Sequence, residues 1–222
     1  MAESGTAKRK TTKKLSAEQI VEAYKTFTLE NGHPPSSVFI FTKELGYRED
    51  AFYEHFGSFD AVQKHVWSDY ITHTIHSLHS DETYAEYSTR EKLLSFYFTL
   101  IETLTKDRSF VQHSLSPDLK SMKELSAFTP VRDRFIEYIQ ELIAEGFESG
   151  EIEHRKVISD RYKDGLWLQL LFIISFWLKD DSARFTKTDA AIEKSVNLSY
   201  DLMGSGPLDR IVDLTKFIWQ NR

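Results

Sequence analysis

Residues 36–61 read SSVFIFTKELGYREDAFYEHFGSFDA, and their spacing decides the fold. Val38, Phe41 and Leu45 recur on one helical face until Gly46, and Ala51, Phe52 and Phe56 form a second short run that stops at Gly57. Two short helices joined by a glycine turn predict a helix-turn-helix, its second helix over about residues 48–55.

Outward from this stretch the pattern stays helical. On the amino-terminal side, Ser16 and Gln19 have capping-box spacing and open a helix through Ile20, Ala23, Tyr24 and Phe27 to Asn31-Gly32. Pro34-Pro35 enforces an extended link, and Ser36 or Ser37 is placed to cap the next helix. Before the first helix, Lys8, Arg9, Lys10, Lys13 and Lys14 make a basic arm with no apolar segment behind it, unlike a signal peptide. On the carboxy-terminal side a long helix is expected over 58–78, with Trp67, Tyr70, Ile71, Thr74 and Leu78 on one face. His65, Asp69, His73, His76 and His79 fall on the other. Imidazoles at such spacings suit a metal, but a stripe opposite the apolar face reads as solvated surface, and no metal site is expected.

The polar break SDETYAEYS, residues 80–88, is followed by a second capping box at Ser88 and Glu91 and a helix through Leu93, Tyr97, Ile101 and Leu104. Shorter pieces are expected through Phe110, Val111 and Leu115 and over 119–125. Longer helices are expected from Pro130 to Gly150, over 157–179, over 188–203 and over 207–219. The helix centred on GLWLQLLFIISFWL is apolar on nearly every face, which predicts that a second copy of the chain covers part of it.

Length and composition allow one large or two modest folded domains, and with no strand pattern the chain is expected to be all-α. The chain has 222 residues, 41% of them hydrophobic, and no cysteine, so it forms no disulfide or thiolate site and suits a reducing, cytoplasmic setting. No window reaches the roughly 18 uncharged apolar residues of a membrane helix. There is no P-loop, G-x-G-x-x-G, G-x-S-x-G or H-E-x-x-H, so neither catalysis nor a cofactor is expected. Net charge is -6. Within residues 16–70, four basic side chains (Lys25, Lys43, Arg48, Lys64) stand against nine acidic ones (Glu18, Glu22, Glu30, Glu44, Glu49, Asp50, Glu54, Asp60, Asp69).

The Gly46 turn, the Phe52-Tyr53 pair, His55-Phe56 and the serine-capped helix carrying Ala61 resemble the amino-terminal module of the tetracycline-repressor (TetR) family, over residues 16–66. The resemblance implies a basic arm (1–15), a three-helix helix-turn-helix head (16–57), a connecting helix (58–79) and a helical ligand-binding and dimerisation domain (80–222). It further implies a homodimeric one-component transcription regulator, whose body binds a small apolar ligand and whose fourth helix carries the signal to the DNA-binding head. The arm residues Lys8, Arg9, Lys10, Lys13 and Lys14, with Ser37, Lys43, Tyr47, Arg48, Tyr53 and His55, are the candidate DNA contacts. Phe96, Tyr97, Phe110, His113, Trp167, Gln169, Phe172 and Phe176 are the candidate ligand pocket. Leu170, Ile174, Trp177, Ile192, Val196 and Tyr200, on the expected helices over 157–179 and 188–203, are the candidate dimer interface. Glu49, Asp50 and Phe59 depart from the family pattern, which has small or basic residues at the first two positions and a phosphate-binding lysine at the third. The acidic head and the apolar last helix favour a second reading: a protein of this fold that has given up DNA and binds a lipid or isoprenoid, similar to the lipid-binding helper of ubiquinone biosynthesis.

Overall fold

The computed structural model of the protein describes residues 14–115, 128–155, 158–204 and 206. Lys8, Arg9, Lys10 and Lys13, and the helices expected over 119–125 and 207–219, lie outside them. Among the described residues the regular structure is helical, with no strand, and no helix is long and apolar enough to cross a membrane. The chain divides into two compact units between Val62 and Gln63.

The first unit holds α1 (Ala17–Asn31), α2 (Val38–Glu44), α3 (Asp50–Tyr53) and the start of α4 (Phe59–His79). The Ser16–Gln19 capping box satisfies the first amides of α1, and Ser37, not Ser36, caps α2 by accepting from the Ile40 amide at 3.4 Å. Gly46 turns the chain at φ 80°, where a side chain would cost about 1 kcal/mol, and lets the Tyr47 amide reach the Thr42 carbonyl at 2.9 Å. Phe41 centres the core, with ring centroids 6.4 Å from Phe27, 6.3 Å from Phe52 and 5.3 Å from Phe59. Phe59 also stacks on Tyr24 at 5.8 Å. The aromatic that departs from the family pattern is thus half-buried against the core rings, contacts a lysine could not make. Burial, with the Asp60 carboxylate second, pushes the Tyr24 phenol up to about 12. The helix expected over 48–55 is a single regular turn. Looser turns flank it, from the Ala51 amide to the Arg48 carbonyl (3.2 Å) and from the His55 amide to the Phe52 carbonyl (3.0 Å).

The second unit holds the rest of α4, a 3-10 turn (Glu82–Glu86), α5 (Thr89–Lys106), α6 (Arg108–Ser114), α7 (Thr129–Ser149), α8 (Tyr162–Lys179) and α9 (Thr186–Met203). In this unit α5 packs against α7, α8 and α9, and α8 against α7 and α9. Along α4, Trp67, Tyr70, Ile71, Thr74 and Leu78 are buried, and the histidine stripe is exposed as its helical phase requires. His65 meets Asp69 at 3.2 Å, and among the described residues no three metal-ligating side chains converge.

The helix expected from residue 157 starts at Tyr162, after a 3-10 turn (Ser159–Arg161). Arg155, just before, is used as a brace: its guanidinium donates to the carbonyls of Leu202 (3.1 Å), Met203 (3.1 Å) and Gly204 (2.7 Å), closing the carboxy-terminal end of α9. At the other end of α9 a tight corner joins it to α8. Asp180 accepts from the Ser182 amide (2.8 Å) and hydroxyl (2.6 Å) and from the Thr188 amide (2.9 Å) and hydroxyl (2.7 Å). Burial alone would raise this carboxyl; those four bonds, first from Ser182 and then from Thr188, hold it well below the usual range. Arg184 and Phe185 both lie in the left-handed region, at φ 57° and 58°. Arg108 covers the corner, 4.6 Å above the Trp177 ring and 4.3 Å from Phe185, donating to the Trp177 and Asp180 carbonyls.

Candidate nucleic-acid interface and the faces of the body helices

In the first unit, α2, the Gly46 turn and α3 enclose an open groove of about 550 Å3. Lys43, Tyr47, Arg48 and Tyr53 all line it, together with Phe39, Thr42, Glu49 and Asp50. Phe39 is absent from the residues singled out in the sequence. The signal was there: Val38, Phe41 and Leu45 take the inner stripe, so the apolar Phe39 and Ile40 must point out, and both are more than half exposed.

Ser37, Lys14, Arg48, Tyr53 and His55 each have a definite local partner. Ser37 is occupied in capping α2. Lys14 meets Glu54 at 3.0 Å, Arg48 meets Asp50 at 3.3 Å, and the Tyr53 hydroxyl donates to Glu49 at 3.2 Å. Desolvation first, and the Glu49 carboxylate second, raise the Tyr53 phenol above its ordinary range, so it is a neutral donor at any working pH. His55 is placed differently from a phosphate-facing residue of the groove: its Nε2 lies 2.9 Å from the Leu15 carbonyl, so that nitrogen carries the proton and ties the end of α3 to the lead-in of α1.

The eight residues expected to line a ligand pocket are not brought together. Phe96, Tyr97 and Phe110 are core. Phe96 stacks on Tyr138 at 4.9 Å, and the Tyr97 hydroxyl reaches the Leu166 carbonyl at 3.5 Å. Burial pushes the phenols of Tyr97 and Tyr138 far up, so both stay neutral. His113 is exposed on α6, and Trp167 lies against Phe135 at 6.1 Å. Gln169, Phe172 and Phe176 line an open groove of about 800 Å3 between α8 and α9.

The candidate dimer residues need correction. Leu170, Ile174, Trp177, Ile192, Val196 and Tyr200 are all buried inside the chain's own core. The faces pointing away carry Leu168 (65% exposed) and Phe172 (49%) on α8, with Leu198 (58%) and Leu202 (39%) on α9. A helix apolar all round gives no phase, so its sequence could not say which side meets the rest of the chain. The polar groups on the outer groove are satisfied internally: Gln169 donates to the Ser195 hydroxyl (3.0 Å) and accepts from the Ser199 hydroxyl (2.9 Å).

Comparison with known proteins agrees with this architecture. A chain from Shewanella sp. PV-4 assigned as a tetR family transcription regulator has the same fold, with a TM-score of 0.56 at 16% identity over 86% of this chain and 100% of that one. No curated protein matches the sequence. A family model described as "Tetracyclin repressor-like, C-terminal domain" matches residues 92–218, more than half of the chain. The protein therefore belongs to the tetracycline-repressor (TetR) family.

Proposed function

We propose that the protein is a one-component transcription regulator that binds operator DNA as a homodimer. The observation that carries this reading is the groove of the first unit, where Lys43, Tyr47, Arg48 and Tyr53 converge across a helix-turn-helix on one exposed surface. Lysine and arginine supply the phosphate and guanine donors, and the tyrosine hydroxyls supply further donors to phosphate. The arm residues Lys8, Arg9, Lys10, Lys13 and Lys14 add counterion-releasing charge. The second copy covers the outer faces of α8 and α9, where Leu168, Phe172, Leu198 and Leu202 form an apolar strip with no unsatisfied polar side chain of its own among Gln169, Ser195 and Ser199. Family membership supports a small apolar effector in the helical body, which acts by binding more tightly to the state with lower operator affinity.

The test is binding of the full chain to fragments of genomic DNA from about 50 to 200 mM salt. Selective retention that weakens steeply with salt is expected. Absence of retention even at low salt would overturn the reading and favour the lipid- or isoprenoid-binding alternative, which one observation supports: Lys14, Arg48 and Tyr53 are each engaged by a neighbouring carboxylate. Sedimentation of the native chain and of Leu198→Asp tests the dimer separately, with a dimer expected for the first and a monomer for the second.

A further inference from the structure

We propose that Arg48 and Asp50 act as one unit that reads a guanine–cytosine base pair in the operator, so the acidic start of α3 selects sequence. This rests on the regulator reading above. Both side chains are open to solvent, Arg48 at 88% and Asp50 at 67%, and they touch through one contact, Nη2 to Oδ2 at 3.3 Å. A single contact leaves most of the five guanidinium N–H groups free to donate and leaves the Asp50 Oδ1 free to accept. Side by side, the pair therefore displays two donors followed by an acceptor. In the major groove a G·C pair displays N7 and O6 of guanine as acceptors, followed by the N4 amino donor of cytosine. The two patterns are complementary. An A·T pair in the same orientation puts the O4 acceptor of thymine against the carboxylate, and a reversed C·G pair puts the cytosine amino group against the guanidinium. Both are repelled.

Glu49 is the internal control. It is also a carboxylate lining the groove, one residue away, but it accepts from the Tyr53 hydroxyl at 3.2 Å and, among the described residues, forms no ion pair with Arg48 or Lys43. If acidic residues here only repelled phosphate, removing either would have the same effect.

The experiment is selection of binding sites from a random duplex pool by the full-length protein and by Asp50→Ala, Glu49→Ala and Arg48→Ala. Affinities are then measured for the best site and its single-pair variants at one salt concentration. The native protein is expected to require G·C at one position of each half-site. Asp50→Ala should lose discrimination there by roughly fivefold or more and keep every other position, and Arg48→Ala should relax the same position. Glu49→Ala should tighten binding to all sequences without changing the motif. Thermal melts confirm that the variants fold. An unchanged motif in Asp50→Ala, with affinity raised as in Glu49→Ala, would overturn the inference and leave the regulator reading intact. A native protein that selects no sequence would overturn both.

Discussion

The carboxylates of the two units contrast sharply. In the first unit Glu49, Asp50 and Glu54 each hold a groove or arm side chain through one contact at an exposed surface. In the second, Asp180 from a buried position and Glu151 from a half-buried one each anchor a helix end, and Glu145, itself exposed, holds a buried partner. Asp180 accepts four hydrogen bonds at the α8–α9 corner, Glu145 pairs with the buried Lys92, and Glu151 accepts from the Thr89 and Arg90 amides at the start of α5. The same functional group is exchangeable where water competes for it and committed where water is excluded. A surface that must trade partners for DNA can be built only from pairs of the first kind.

That contrast can be broken by substitution. Asp180→Ala leaves the Ser182 and Thr188 amides and hydroxyls without their acceptor and is expected to cost about 3 kcal/mol, read as a fall in the thermal midpoint. A loss below about 1 kcal/mol would put Asp180 with the surface carboxylates. Glu145→Leu strands the Lys92 ammonium, which is buried beside the Tyr84 ring at 5.7 Å, and should cost about 2 kcal/mol in denaturant unfolding. The double change with Lys92→Met should recover most of it. Glu151→Gln keeps one accepting oxygen for the Thr89 and Arg90 amides, turns the other into a donor and loses the charge, and about 1 kcal/mol is expected. At the small end, Glu54→Gln should change stability by less than about 0.5 kcal/mol while tightening binding to DNA through the freed Lys14.

Acid sharpens the same comparison. Hydrogen bonds from Ser182 and Thr188 lower the Asp180 carboxyl against the opposing effect of burial, and those from Thr89 and Arg90 do the same for Glu151. Folded values below the unfolded ones mean that the stabilisation is complete above the unfolded carboxyl range, near pH 4, and is lost as pH falls through the folded values. Melts recorded from pH 7 down to pH 3 should therefore show stability falling below about pH 4. Asp180→Asn should show a shallower fall, and parallel curves would remove Asp180 from the account.

Much of this was legible beforehand. The capping boxes at Ser16 and Ser88 have the form expected from their spacing, because a cap is a contact between residues three apart and needs no tertiary partner. The two faces of α4 likewise follow from period alone. The length of α3 was overestimated, since its apolar spacing continues past the point where the regular hydrogen bonding gives way to looser turns.

By itself the sequence determined the described helices, apart from the length of α3 and the starts of α8 and α9, together with the capping boxes at Ser16 and Ser88, the Gly46 turn and the family, all of which depend on neighbours along the chain. Tertiary structure decided the rest. It packed Phe59 half-buried against the aromatic core, committed His55 to the Leu15 carbonyl, and turned Leu170, Ile174 and Trp177 inward while leaving Leu168 and Phe172 outside. Those outcomes depend on which side of an apolar helix the rest of the chain fills first, and no periodicity within that helix records it.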